Sequence, residues 1–131
     1  MDYKVRFQEK EYYKVTLVSL NPDRCRILKG PEEEKRLVEV LLDDYQISRY
    51  EKMIQLVVRE VVEESYWSDF YHIFSLKHLQ EEFQKGTANI SYSYLRRIDE
   101  NMQMVTASVY PRKFGSQGQL EEFMMYVFIQ R

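Results

Sequence analysis

Apolar and polar residues alternate along this chain in two different periods, and the switches between them lay out its architecture. From Tyr12 to Leu20, Tyr13, Val15 and Leu17 alternate with Lys14 and Thr16, the period of a half-buried strand. Asn21-Pro22-Asp23 predicts a turn, because proline fixes φ and Asn and Asp bond nearby backbone. Arg24 to Lys29 then predicts the return strand of a hairpin. Residues 1–11 mix charges with scattered apolar groups and are expected to form a flanking segment or short helix.

The period changes after Gly30. Pro31 followed by Glu32, Glu33 and Glu34 is a helix-start pattern, with carboxylates where the helix dipole is positive. Leu37, Val38, Leu41, Leu42 and Tyr45 fall on one helical face. Ser48-Arg49-Tyr50-Glu51 has the form of a capping box that opens a second helix. Its stripe is Tyr50, Met53, Ile54, Val57, Val58, Val61 and Val62, and the period favours helix despite the β-branched run. Beyond the Trp67–Phe74 region, Ser75 is placed to cap a third helix with Leu76, Leu79 and Phe83 inward and Gly86 at its end.

The last third returns to period two. Asn89 to Ile98 alternates Ile90, Tyr92 and Tyr94 against Ser91 and Ser93, and Asp99-Glu100-Asn101 predicts a turn. Met104 to Tyr110 returns, and Pro111 to Gln119 is expected to be a longer loop. The run Phe123 to Ile129 is apolar on both faces, which suits the most deeply buried strand of a sheet. An isolated hairpin is marginal in water, so the first two strands must join the last three. The least frustrated solution sets the first strand beside the last. The expected fold is therefore α+β, a five-stranded antiparallel sheet in ββ-ααα-βββ order with helices covering one face.

Composition narrows the class. With 131 residues, 44% apolar and 31% charged, the chain suits one domain and is no disordered polymer. The net charge of -2 lacks the basic excess of a nucleic-acid surface, so no nucleic-acid partner is expected. No apolar stretch is long enough to span a bilayer, and the N-terminus has no signal-peptide core. With a single cysteine, a cytoplasmic setting is expected.

Several segments carry a resemblance. Tyr12 to Asn21, the turn, and Cys25-Arg26-Ile27-Leu28-Lys29 resemble the opening hairpin of PAS domains attached to bacterial diguanylate cyclases and histidine kinases. Phe74-Ser75-Leu76-Lys77-His78-Leu79 through Gly86 resembles the helix before the third PAS strand. Tyr94-Leu95-Arg96-Arg97-Ile98-Asp99 is similar to the strand and turn written Tyr-Arg…Asp-Gly, although Met104-Val105 stands where a tryptophan is usual. The resemblance covers residues 12–131. It implies a PAS-like sensory domain, a segment of a longer signalling protein, whose closing strand leads toward an output domain.

Candidate chemistry is sparse. Some PAS relatives form a flavin adduct on a cysteine of the helical half, whereas Cys25 falls in the second strand, where a packed thiol is expected. His72 and His78 are too few for a zinc site, and a lone histidine argues little for haem, so no metal or cofactor is expected. The acidic runs Glu32–Glu34, Asp43-Asp44, Glu63-Glu64 and Glu121-Glu122 read as solvated faces, since adjacent helical residues point apart. No Gly-x-Ser-x-Gly turn, Walker motif or dinucleotide glycine pattern occurs, and no catalytic residue is expected. Arg96-Arg97 beside tyrosines raises RNA stacking, against which the acidic balance argues.

The aromatic load is the remaining signal. Trp67, Tyr92, Tyr94, Tyr126 and Phe128 are the candidates to line a pocket between helices and sheet, and a fully packed core is the plain alternative. Met102, Met104, Met124 and Met125 fit either as adaptable filler. The expected role is a non-catalytic sensory module with a small-molecule ligand, an attached output domain and a homodimeric state. Alternatives are a ligand-free dimerisation module and, further off, a small cone-shaped α+β enzyme.

Overall fold

A computed structural model of the chain describes residues 12–40 and 47–130. The flanking segment 1–11 and the stripe positions Leu41, Leu42 and Tyr45 lie outside the described residues. The architecture is α+β. Strands β1 (Lys14–Leu20) and β2 (Asp23–Lys29) form a hairpin, and β3 (Ile90–Ile98), β4 (Asn101–Phe114) and β5 (Leu120–Ile129) form a meander. Between them run α1 (Glu32–Glu39), α2 (Arg49–Val61), a 3-10 turn (Glu64–Tyr66), α3 (Trp67–Ile73) and α4 (Leu76–Gln84). All five strands join one antiparallel sheet in the order β2-β1-β5-β4-β3.

The apolar closing strand is the middle of that sheet, with β1 on one side and β4 on the other. Its two apolar faces explain the placement. Phe123, Met125 and Val127 enter the main core, while Met124 and Tyr126 cluster with Val15 on the opposite face. The helices cover the first of these faces, as their residues Tyr50, Met53, Val58, Phe70 and Leu79 join the main core. Among the described residues, no helix is long and apolar enough to cross a membrane.

Local signals act where the sequence places them. Ser48 accepts from the Glu51 amide, and the Glu51 carboxylate accepts from the Ser48 amide at 3.1 Å, completing the capping box. Ser75 accepts from the His78 amide and opens α4. Gly86 follows that helix at φ 96, a left-handed conformation that costs glycine least. The run ending at Val61 is helical, and Val62 then bridges to Arg96 at the free edge of β3.

Three expectations need correction. The Trp67–Phe74 region forms a helix of its own, anchored by Trp67 Nε1 donating to the Val62 carbonyl at 2.8 Å. Strand β4 begins at Asn101 and continues through Pro111 to Phe114, so the expected loop is shorter. Register shifts between Pro111 and Phe114 accommodate the proline, which cannot donate to a regular ladder. Finally, Pro31 occupies the cap of α1, and the helix itself begins at Glu32.

Candidate functional site

The cap position of Pro31 puts Glu32, Glu33 and Glu34 in the first turn of α1, where the helix dipole favours all three. Only Glu34 turns toward the sheet. It is 7% exposed, while Glu32 and Glu33 face solvent. Two buried cations meet it there, Lys14 at 4% exposure and Arg96 at 2%. Lys14 Nζ lies 2.7 Å from Glu34 Oε1, and Arg96 Nη2 lies 2.7 Å from Oε2, with Nη1 3.4 Å from Oε1. Lys14 stands on β1 and Arg96 on β3, three strand spacings or about 14 Å apart across the sheet. Glu34 thus ties the two hairpins to α1.

Alternation delivers both cations. On β1, Lys14 shares the inner face with Thr16 and Val18; on β3, Arg96 follows Tyr92 and Tyr94. Gly30 allows α1 to start close by, since a Cβ there would sit 3.2 Å from Lys14 Cγ. The Tyr13 ring covers the Arg96 guanidinium at 5.0 Å, and Arg96 Nε donates to the Arg97 carbonyl at 3.0 Å.

The electrostatics are set by this geometry. Burial alone would raise the Glu34 carboxyl, but the Lys14 charge and the Arg96 hydrogen bonds outweigh it and hold it at about 2. Burial lowers Lys14, with Glu34 only partly restoring it. Burial also disfavours charged Arg96, yet its bonds to Glu34 raise it on balance. A carboxylate pinned this low and held at both oxygens is unsuited to act as a general base. The group stores charge and fixes geometry. Two cations against one anion leave it with an excess positive charge. Each side-chain nitrogen of Arg96 and Lys14 has an acceptor among the described residues. Thr16 Oγ1, two residues along β1, is buried with no hydrogen-bond partner among them.

A cleft of about 770 Å³ opens beside this network, between the start of α1, the end of α2 and the β3–β4 turn. Glu34 and Arg96 line it deep down, and Tyr13, Leu37 and Val61 give it apolar wall. Glu32, Glu33, Glu60, Asp99 and Glu100 line it too and are exposed, against the guanidinium groups of Arg36 and Arg97. Arg97 is tethered to the Glu60 carbonyl at 3.2 Å.

The five aromatic candidates do not converge. Tyr92 and Tyr94 lie on the inner face with Phe70, and Trp67 packs at the margin of the same core. Tyr126 and Phe128 lie on the outer face, where Tyr12 packs against both rings at 4.7 and 5.9 Å. They cannot share a pocket with the other three. Between helices and sheet the space is occupied by edge-on aromatic pairs, Tyr50 with Phe123 at 5.0 Å and Phe70 with Phe74 and Tyr94 at 4.9 Å. The Tyr50 hydroxyl donates to the Phe74 carbonyl at 2.6 Å.

The remaining candidates are structural. Cys25 Sγ contacts Met53 Sδ at 3.2 Å, and burial pushes its thiol up to about 12, far from a reactive thiolate. His72 and His78 stack at 5.2 Å, with His78 Nδ1 2.8 Å from the Ile73 carbonyl. Among the described residues no cluster of three or more metal-ligating side chains occurs. Arg96 is enclosed in the core and offers no stacking surface. Glu34 was missed because a run of three carboxylates reads as a solvated helix start. The available signal was Arg96, a cation that continues the inward series Ile90, Tyr92 and Tyr94; Lys14 was hidden because Val15 and Leu17, the apolar side of its alternation, pack on the outer face with Met124 and Tyr126 and leave Lys14 on the helix-covered face.

Comparison with known proteins gives no match to a family model, a curated protein or a solved structure.

Proposed function

We propose that the chain is a PAS-like, non-catalytic sensory domain that controls an attached signalling output domain, of the cyclase or histidine-kinase kind, through ligand binding or dimer rearrangement. The observation that carries this reading is the sheet order β2-β1-β5-β4-β3, with every described helix inserted between β2 and β3 and packed on one face. That order makes the closing strand the centre of the sheet and its exit. Any change in how α1 sits on the sheet is therefore felt by β5 and by a domain attached beyond it. The local likenesses at Tyr12–Lys29, Phe74–Gly86 and Tyr94–Asp99 point the same way.

A second reading, a ligand-free interaction module, draws support from the aromatic packing between helices and sheet, which takes the space an enclosed ligand would need. Exposed Met102, Tyr110 and Phe114 on β4 offer apolar contact area. Native mass spectrometry of the purified chain, with an absorbance spectrum of the same sample, separates the two. A retained small mass or chromophore supports sensing, and an apo dimer supports the interaction module. An apo monomer at every concentration counts against both.

A further inference from the structure

We infer that the open edge of β3, from Ile90 to Tyr94, is a docking site for an extended, basic peptide segment of another protein, added as a further strand. The two edges of the sheet, β2 and β3, are made differently. Strand β2 carries Arg24, Arg26 and Lys29, and a register shift between Val15 and Thr16 interrupts its pairing with β1. Charge and irregularity of that kind keep foreign strands away from a sheet edge. Strand β3 has neither between Ile90 and Leu95. The run Ile-Ser-Tyr-Ser-Tyr-Leu holds no charge and no proline, and its register with β4 is unbroken.

The chain itself shows how this edge accepts a strand. Past α2, extended Val62 bridges to Arg96 in the antiparallel sense, and the Glu63 amide donates to the Leu95 carbonyl at 3.0 Å. The chain then leaves the edge through the 3-10 turn at Glu64. The N–H and C=O groups of a strand change sides at each residue, so those of Ser91 and Ser93 point outward as the Leu95 carbonyl does. Among the described residues, they have no main-chain partner on that side. The open stretch is roughly 17 Å long at about 3.4 Å per residue, room for several ladder bonds. Its surroundings select the occupant. Glu63 and Glu64 stand at one end, and Asp69 lies near Tyr92, whose hydroxyl pKa is raised by burial and then by the Asp69 charge. Among the described residues, none of these three carboxylates is ion-paired. Half-buried Tyr66, Trp67 and Tyr92 add an aromatic wall, with the Tyr66 and Tyr92 rings 6.4 Å apart. A guanidinium on the added strand meets carboxylates and aromatic faces together. A second copy paired edge to edge would instead set its own Glu63, Glu64 and Asp69 against these.

The test adds capped synthetic peptides, long enough to span Ile90–Tyr94, at millimolar concentration to the ¹⁵N-labelled 131-residue chain. One peptide alternates arginine with valine, a second alternates glutamate with valine, and a third is the arginine peptide with its backbone nitrogens methylated. The arginine peptide is expected to shift the Ser91 and Ser93 amides in a ¹H–¹⁵N correlation spectrum and to slow their hydrogen exchange. The glutamate and N-methylated peptides should bind about tenfold more weakly, or less. Ser91→Pro removes an outward N–H and should weaken the arginine peptide about tenfold. Asp69→Asn, at an exposed position, leaves β3 untouched and should weaken it about threefold, which keeps the test decisive if proline disturbs the strand. Unchanged Ser91 and Ser93 amides, or glutamate or N-methylated peptides that bind as well, overturn the proposal. So does protection of these amides that grows with protein concentration in the absence of peptide, since the edge would then belong to a second copy.

Discussion

Strand β3 carries two polar networks, one on each face, and they are built on opposite principles. Inward, Arg96 belongs to the buried charged group with Glu34 and Lys14, spanning the sheet and gripping α1. Outward, Ser91 meets Ser108 at 2.7 Å and Ser93 meets Thr106 at 2.8 Å, neutral hydroxyls on directly paired residues. Gln130 Nε2 donates to both Ser93 and Thr106, at 2.9 and 2.8 Å. The outer ladder joins neighbours that the backbone already joins. The inner group joins elements that touch in no other regular way, and its charges are shut away from water. Losing Ser93 or Thr106 from the outer ladder leaves a half-buried hydroxyl that water can reach, whereas losing one member of the inner group leaves a stranded charge.

This contrast sets the scale of several expected effects. Glu34→Gln should be the most damaging, since it leaves two cations without their anion; a loss of about 3–5 kcal/mol in urea unfolding is expected. Glu32→Gln, two residues away and solvated, should change stability by less than about 0.5 kcal/mol in the same assay. Acid should reproduce part of the Glu34→Gln effect. The Glu34 carboxyl stands at about 2 in the folded chain against an ordinary 4.5, so its contribution is full above 4.5 and is lost as pH falls toward 2. That loss is on the order of 3 kcal/mol, and Glu34→Gln should flatten the stability–pH slope in this window.

Replacing the whole inner group by apolar residues, as in Lys14→Met/Glu34→Leu/Arg96→Met, should recover most of the loss seen with Glu34→Gln, because no charge is then left unpaired. A thermal melt no better than that of the single variant would show that the cost lies in shape. On the outer face, Ser93→Ala should cost about 1 kcal/mol, and Ser93→Ala/Thr106→Val less than the sum of its parts, measured by a double-mutant cycle. Full additivity there would dissolve the distinction between the two faces.

Much of the architecture was legible because period and punctuation agreed. Ser48, spaced from Glu51 as a capping box, and Ser75, standing before the Leu76, Leu79 and Phe83 stripe, open helices as expected, and the doubly apolar run at Phe123–Ile129 forms the centre of the sheet. What was not legible has a common cause. When both faces of a strand are apolar, alternation no longer says which face looks inward, so Tyr126 and Phe128 were grouped with residues they never meet. When three carboxylates follow one another at a helix start, composition hides the one that tertiary contact selects. Glu34 is picked out by Lys14 and Arg96, which lie far from it in sequence. The cleft beside it is likewise a product of three distant segments meeting.

The central place of β5 has a consequence for the history of the molecule. Without β5 the sheet order falls into two unconnected hairpins, β2-β1 and β4-β3. Lys14 pairs with Val127, far along the chain, so the first hairpin emerges from the ribosome long before its partner strand exists. Until β5 is translated, the core side of that hairpin has no neighbouring strand to extend it, and closure must bring together distant parts of the polypeptide. Assembly of this sheet is therefore completed at its centre, by the last of its five strands to be made.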